Sequence, residues 1–205
     1  MKGIRVDSAA RTVRVEPGCT GGDVDHTTHA FGMATPSGTV STTGVAGLTL
    51  GGGIGHLTRP FGLAIDNLLE VDVVLADGRF VTANNKEKAD LFWAVRGGGG
   101  NFGVVTSFLF RPNPVPTVIA GPTFWPIEQT PEVMPAYEEF IRKAPEDISG
   151  FLAFLNVPTV ALFRLRSTAR RCARSSGAAP CLRSGPIRSP DRCAASAARC
   201  SITSG

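Results

Sequence analysis

The sequence predicts a mixed fold of short helices and antiparallel strand pairs. The clearest strand runs from Leu68 to Ala76, where Glu70 and Asp72 alternate with apolar residues as one wet and one dry face require. Asp77-Gly78 is a strong hairpin turn signal, and Arg79 to Thr82 gives the return strand. This hairpin, several helical segments and a long glycine-rich stretch are the observations on which the prediction depends.

The glycine-rich stretch runs from Thr35 to His56, and the chain is organised around it. It holds seven glycines and carries no charge before the histidine. Glycine lets the backbone come close to a ligand, and successive N–H groups in such a run form a concavity for an anion such as a pyrophosphate. Ser41, Thr42 and Thr43 add hydroxyls that can bond ligand oxygens. A flexible loop is the alternative, and it is disfavoured because apolar residues recur at Val45, Leu48, Leu50 and Ile54.

The other predicted elements follow from local patterns. Alternation predicts strands at Ile4 to Asp7 and Thr12 to Glu16, and a β-branched run predicts a strand at Val104 to Phe110. Thr130-Pro131 is typical of a helix start, and apolar spacing continues that helix to about Lys143. The remaining elements are helices at Gly21 to Phe31 and Leu91 to Val95, and strands at Val118 to Trp125 and Gly150 to Val157.

Two apparent motifs lack the context that their function would need. His26 and His29 share one helical face, but no cysteine or third histidine is near enough in the sequence to complete a zinc site. A polar surface is therefore predicted there, and no metal site. Gly98, Gly100 and Gly103 match the spacing G-x-G-x-x-G, but a helix precedes them and a strand follows, which is the reverse of the dinucleotide-binding order.

The tail from Ala161 to Gly205 differs in composition from the rest of the chain. It holds nine arginines and one aspartate, whereas the first 160 residues hold 12 basic and 16 acidic residues. Its four cysteines have no zinc-binding spacing, and no strand or helix period is sustained. We interpret the tail as disordered, or as a GC-rich gene translated in the wrong frame. A nucleic-acid-binding segment is the alternative, but it lacks aromatic residues to stack on bases.

The sequence shows neither a membrane-spanning segment nor a signal peptide. No run of 18 apolar residues is present, and the first residues lack the apolar core of a signal peptide. We therefore expect a cytoplasmic protein without a membrane or nucleic-acid partner.

Two segments carry a resemblance to a known family. They are TPSGTVSTTGVAGLTLGGGIGHLTRPFGLAIDNLLEVDVVLADGRFVTAN and DLFWAVRGGGGNFGVVTSFLFRPNPV. Both resemble the FAD-linked oxidases, and in particular the berberine-bridge-enzyme-like branch of the vanillyl-alcohol-oxidase superfamily, whose FAD-binding domain is of the PCMH type. The resemblance covers Met1 to about Val157 and implies an α+β fold. It implies a second part of the FAD-binding domain over residues 1–113 and the start of an antiparallel-sheet substrate domain over residues 114–160, with the tail at residues 161–205.

The resemblance implies that the cofactor is FAD and that both glycine motifs hold it. The first motif and the turn after it would approach the flavin and its pyrophosphate, and the second motif would meet the adenine end. His56 could bond the flavin or the substrate, or could be structural. The implied cofactor-binding residues are Pro36, Ser37, Gly38, Ser41, Thr42, Thr43, Gly44, Gly47, Gly51, Gly52, Gly53, Gly55, His56, Gly103, Val104 and Val105.

Three departures from the family pattern bear on the chemistry. Family members begin with another subdomain, which in many members carries a histidine bonded to the flavin, and we expect that the chain starts after that point. Some members attach the flavin through a cysteine where Val40 stands here, and Cys19 lies too far upstream to replace it. Family members place the tyrosine base near the C-terminus, whereas the single tyrosine here, Tyr137, lies on an amphipathic helix. No catalytic base is assigned.

The function implied by the resemblance is that of a FAD-dependent oxidoreductase, which transfers a hydride from a small organic substrate to the flavin. A truncated flavin-binding remnant without catalysis is the first alternative. The second alternative is a basic interaction protein, whose tail would bind nucleic acid in a salt-dependent way.

Overall fold

The computed structural model describes residues 1–155 and 176–184 of the 205-residue chain. The chain divides into two compact units, Met1–Thr117 and Val118–Gly205. The predicted combination of helices with antiparallel strands is confirmed in both units. Within the described residues, none of the helices has the length and apolar character needed to cross a membrane.

A five-stranded antiparallel sheet forms the centre of the first unit. Its strands are β1 (Ile4–Asp7), β2 (Thr12–Val15), β4 (Leu68–Val74), β5 (Phe80–Asn84) and β6 (Val104–Phe110), in the spatial order β1-β2-β6-β4-β5. Each of these strands was predicted from the sequence, and each is confirmed to within two residues at either end. Because β6 comes late in the chain but lies between β2 and β4, it joins the N-terminal hairpin to the Leu68–Asn84 hairpin.

Short helices and a second strand pair complete the first unit. The helices are α1 (Gly21–His29), α2 (Val45–Leu50), α3 (Thr58–Phe61) and α4 (Ala89–Val95), and β3 (Met33–Ala34) pairs with β7 (Asn113–Pro114). Predicted helices α1 and α4 are confirmed, whereas α2 and α3 were not predicted.

One face of the sheet forms the hydrophobic core. Val13, Val71, Val73 and Phe108 are fully buried, and the rings of Phe108 and Phe110 stack with centroids 5.9 Å apart. These residues belong to one cluster with side chains from three of the helices, namely Val24, Val45, Leu50, Phe92 and Val95. The alternation read from the sequence therefore places the valines toward the helices and the charged residues on the other face.

A polar network covers the opposite face of the sheet. The guanidinium of Arg14 on β2 donates to Glu70 and Asp72 of β4 at 2.8 Å each, and to Ser107 of β6 at 2.7 Å. Asp72 also accepts from the hydroxyl of Thr82 on β5 at 2.8 Å. Half-exposed ion pairs contribute only about 0–1 kcal/mol each. The network therefore acts mainly by fixing the register of four strands.

The second unit contains a sheet and one long helix. Its elements are β8 (Val118–Pro126), α5 (Thr130–Lys143), β9 (Ile148–Gly150), β10 (Ala153–Leu155) and β11 (Ser176–Ser184), and β11 pairs with the other three strands. Helix α5 ends at the predicted residue. Pro135 lies inside it without ending it, and the hydroxyl of Tyr137 donates to the carbonyl oxygen of Gly150 at 2.7 Å.

Two features of the second unit differ from the predictions. The single strand expected from Gly150 to Val157 is divided into β9 and β10, which are separated by Phe151 and Leu152, and residues 156–157 lie outside the described residues. The tail was expected to hold no strand, yet Ser176–Ser184 forms β11, whose nine residues pair with β8. The rest of the tail, 161–175 and 185–205, lies outside the described residues.

We predict that Phe108→Ala lowers the free energy of unfolding by about 3–5 kcal/mol, because it leaves a cavity at a fully buried position. The matched control is Phe80→Ala, since Phe80 is 63% exposed on the edge strand β5 and its loss should cost under about 1 kcal/mol. Urea unfolding followed by circular dichroism measures both. Equal losses would contradict the assignment of the two faces.

The capping box of α1 predicts that the stability of the protein depends on pH. The backbone N–H and the hydroxyl of Thr20 both donate to the Asp23 carboxylate at 2.8 Å, and these bonds hold its pKa below the ordinary 3.8. Because the folded pKa is the lower one, the stabilisation is present above pH 3.8 and is lost as the pH falls through the folded pKa. The urea midpoint of wild type should exceed that of Asp23→Asn near neutral pH, and the difference should disappear in acid. A difference that does not change with pH would exclude this cap.

Candidate functional site

The glycine-rich stretch folds into four successive pieces. Residues 35–38 lie outside helix and strand, 39–44 form turns, α2 spans Val45–Leu50, and a turn returns the chain over 51–57. Sequence alone did not predict α2, because glycine lowers helix propensity. Tertiary burial overrides that preference here, since Val45 and Leu50 are 6% and 9% exposed and join the core.

Two of the glycines are required by close packing. A Cβ on Gly55 would lie 1.6 Å from the carbonyl oxygen of Ser37, whereas a Cβ on Gly38 would lie 2.6 Å from the terminal Leu48 Cδ1, which a side-chain shift can move away. Gly53 has φ +79°, and a Cβ there would lie 2.5 Å from Ala64 Cβ. The segment before α2 and the turn after it therefore lie in direct backbone contact.

Two other glycines have open space above their Cα atoms. A Cβ added to Gly44 or to Gly47 would meet no atom within 4 Å, and both residues are exposed. The hydroxyl residues Ser41 and Thr42 beside them are exposed as well. This part of the stretch is where a ligand could approach the backbone closely.

The start of α1 anchors the turn before α2. The N–H groups of Gly21 and Gly22 donate to the carbonyl oxygens of Thr43 and Ser41 at 2.9 and 2.8 Å, and the N–H of Val45 donates to Cys19 at 2.9 Å. These first donors of α1 are therefore used inside the protein. An anion at this site would have to be held by other donors.

The second glycine motif lies beside the first. Helix α2 contacts the turn Gly99–Phe102, which leads into β6. Gly103 has φ +142°, and a Cβ there would lie 2.6 Å from the carbonyl oxygen of Val74, so this position is also fixed by close packing. Arg96 follows α4 directly, and its Nε donates to the carbonyl oxygen of Ile65 at 3.1 Å.

The predicted cofactor-binding residues differ in their exposure to solvent. Val105 is 5% exposed in the core cluster, so its side chain is committed to the core and only its backbone could serve a ligand. Val104, by contrast, is 69% exposed. The exposed residues of the set are Ser41, Thr42, Gly44, Gly47, Gly51 and Val104, the half-buried ones are Ser37, Gly38, Thr43, Gly55, His56 and Gly103, and the buried ones are Pro36, Gly52, Gly53 and Val105.

A cleft opens among these residues and extends beyond the predicted set. Pro36, Ser37, Gly38 and Thr43 line it, as predicted residues. The lining residues outside the predicted cofactor-binding set are Gly21, Val24, Thr35, Val45, Leu48, Thr49 and Phe110. Thr35 follows β3 and the others come from α1, α2 and β6, so they meet only in the folded chain. None of the described residues that line the cleft is charged.

Cys19 is a structural residue beside the site. It is 1% exposed, and its Sγ lies 3.7 Å from the carbonyl oxygen of Gly3. Burial raises the pKa of the thiol, and the nearby Asp23 carboxylate raises it further. A neutral buried thiol is a poor nucleophile. Across residues 1–155 and 176–184, no group of three or more histidine, cysteine, aspartate and glutamate side chains could hold a metal ion.

Comparison with known proteins identifies the kind of domain. A family model described as an FAD binding domain matches residues 1–84. An FAD-linked oxidoreductase of Dictyostelium discoideum is 44% identical over 151 residues, which are 73% of this chain and 33% of that protein. The (R)-6-hydroxynicotine oxidase of Paenarthrobacter nicotinovorans is 42% identical over 106 residues, which are 52% of this chain and 23% of that enzyme.

Two solved structures are similar to this chain in fold. The crystal structure of 6-hydroxy-D-nicotine oxidase from Arthrobacter nicotinovorans matches with a TM-score of 0.80 and 28% identity, over 98% of this chain and 41% of that one. A BBE-like 1 variant from Physcomitrella patens matches with a TM-score of 0.76 and 28% identity, over 91% of this chain and 37% of that one. The chain spans about a third of the length of the first of the curated relatives.

We predict that two glycine substitutions have opposite effects on stability. Gly55→Ala should lower the free energy of unfolding by at least about 1–3 kcal/mol, because its Cβ would meet the Ser37 backbone, which cannot move aside as a side chain can. Gly47→Ala is the matched control, since it adds a Cβ in open space within a helix and should stabilise by up to about 1 kcal/mol. Thermal unfolding compares them. A destabilised Gly47→Ala, or a neutral Gly55→Ala, would contradict the two classes of glycine.

Proposed function

The chain belongs to the FAD-linked oxidoreductases with a PCMH-type FAD-binding domain, in the berberine-bridge-enzyme-like branch, and on that premise we propose that its glycine-rich cleft holds FAD for hydride transfer from a small organic substrate. The resemblance read from the sequence is confirmed by these relatives, and FAD is confirmed as the cofactor of the family. The activity of the whole protein remains part of the proposal, because the chain spans only about a third of such a relative.

The observation that carries the proposal is the open backbone at Gly44 and Gly47. A pyrophosphate needs close approach to backbone and hydroxyl donors, and the missing side chains at Gly44 and Gly47 leave that approach open. The cleft beside them has no charged residue in its described lining. Exposed hydroxyls at Ser41 and Thr42 lie next to these glycines. The residues present therefore fit FAD.

The predicted cofactor-binding residues would contact different parts of FAD. The segments Pro36–Gly38 and Ser41–Gly44 would approach the flavin and its pyrophosphate, and Gly47 with the glycines of 51–55 would do so from the next turn. Gly103 and Val104 would meet the adenine end, together with the backbone of Val105. His56 follows Gly55 directly and is half-buried, which suits a hydrogen bond toward the flavin or the substrate.

The bound FAD would supply the two-electron acceptor for a hydride removed from a substrate C–H bond, which in an amine is the C–H bond next to the nitrogen. The chain would bind and orient this group and keep water from it. The substrate class is a sugar, an alcohol, an amine or an alkaloid-like molecule. We also propose that the protein acts in the cytoplasm without a nucleic-acid partner, which the excess of acidic residues in the first 160 positions supports.

A second candidate function is a flavin-binding remnant without catalysis. One observation favours it. The hydroxyl of the single tyrosine, Tyr137, donates to the carbonyl oxygen of Gly150 at 2.7 Å, so it is used in a hydrogen bond within its own unit.

The proposed site is tested by titrating the purified chain with FAD and following flavin fluorescence. We expect saturable binding with a Kd on the order of 10 μM. The double variant Ser41→Ala/Thr42→Ala should bind at least about tenfold more weakly, because even one hydrogen bond to a charged group contributes about 1.5–3 kcal/mol. The matched control is Ser8→Ala/Thr123→Ala, which removes two exposed hydroxyls outside the cleft and should leave the Kd unchanged.

The same sample tests the mode of attachment and the two candidate functions. After acid precipitation we expect the flavin in the supernatant, because Val40 cannot form a thioether link. Flavin reduction by a member of the substrate classes would favour the oxidoreductase over the remnant. No saturable binding, or equal affinities of the two double variants, would rule out the proposed cofactor site.

A further inference from the structure

The hydroxyl of Thr35 is buried and has no hydrogen-bond partner. Thr35 is 3% exposed, and within the described parts of the chain its Oγ1 is the one buried side-chain oxygen or nitrogen that lacks a partner. An unsatisfied buried hydroxyl destabilises a protein, so native structures rarely keep one without a reason. The position of this hydroxyl gives the reason.

Thr35 lines the cleft just before the segment that the family resemblance assigns to the cofactor. The cleft encloses a cavity of about 20 Å³, bordered by Ser37, Gly38 and Thr43 of that segment and its turn. This volume accepts one oxygen-sized group. The hydroxyl therefore borders a space that is too small for a ring and large enough for a single polar atom.

Two other buried polar side chains of the same unit have the hydrogen-bond partners that the Thr35 hydroxyl lacks. Thr28 is fully buried, but it lies in α1 and its hydroxyl donates to the carbonyl oxygen of Val24 at 2.9 Å. Asn67 is 7% exposed, and its amide donates to the carbonyl oxygens of Phe61 and Leu63. Thr35 follows the short strand β3 and has no preceding helical turn to offer a carbonyl.

We propose that Thr35 is a cofactor-binding residue whose hydroxyl donates a hydrogen bond to an oxygen of FAD that enters this cleft. The inference rests on the proposed function and adds to it a residue that the family pattern did not indicate. In the free chain the unsatisfied hydroxyl lowers the stability of the protein. A hydrogen bond to the ligand oxygen removes this penalty. The residue thus contributes to affinity and reduces the stability of the ligand-free chain.

The test compares three variants in two assays. Thr35→Val keeps the shape and removes the hydroxyl, so the FAD Kd should rise about five- to twentyfold while the urea midpoint of the ligand-free chain stays the same or rises. Thr28→Val is the matched control, because it removes a satisfied hydroxyl, and it should lower the urea midpoint and leave the Kd within about twofold. Thr35→Ser keeps a hydroxyl and should bind FAD within about threefold of wild type.

The outcomes separate this inference from the proposed function. If Thr35→Val lowers the urea midpoint and leaves the Kd unchanged, the hydroxyl is bonded within the protein or to an ordered water, and the inference is overturned. If Thr35→Val binds like wild type while Ser41→Ala/Thr42→Ala binds more weakly, the proposed function stands and the inference falls. If wild type binds no FAD, both are rejected.

Discussion

The absence of a side chain at Gly55 is the constraint on which the site depends. A Cβ at this position would lie 1.6 Å from the carbonyl oxygen of Ser37, so glycine alone allows the turn after α2 to lie against the segment before it. This backbone contact folds the stretch back on itself. Helix α2 then buries Val45 and Leu50 in the core and meets the second glycine turn, Gly99–Phe102. The cleft and the juxtaposition of both glycine motifs follow from that one contact.

The sheet determines which donors remain for a ligand. Its inner face packs against α1 through Val24, and the first N–H groups of α1, at Gly21 and Gly22, are directed to the carbonyl oxygens of Thr43 and Ser41. The positive end of a helix often binds an anion. Here it is occupied by the protein's own carbonyls and by the Asp23 carboxylate, which accepts from the Thr20 N–H. An anion beside this helix start would therefore need other donors, and in the proposed site the glycine stretch would supply them.

Elements that show a local sequence pattern were predicted from the sequence. Features that depend on tertiary contacts were not. Alternation located β4 to within two residues, because a half-buried strand shows its two faces in the sequence, and a β-branched run located β6. It did not find α2, whose helical state depends on burial of Val45 and Leu50. Composition marked seven glycines as one class, whereas the structure separates Gly55, which is required for packing, from Gly47, which has open space. Thr35 carries no local signal, since the absence of a partner for its hydroxyl is visible only in the folded chain.

The chemistry of the cleft limits how tightly this chain alone can hold FAD. None of the described lining residues is charged, so a pyrophosphate would rely on neutral N–H and hydroxyl donors. A hydrogen bond to a charged group contributes about 1.5–3 kcal/mol, so three would give about 5–9 kcal/mol. Association costs at least about 4 kcal/mol, while micromolar binding requires a net of about 8 kcal/mol. Most of the affinity must therefore come from apolar contacts to the rings of the cofactor. On the proposed function, the affinity of this chain for FAD would thus depend more on contacts to the rings than on the donors to the phosphates.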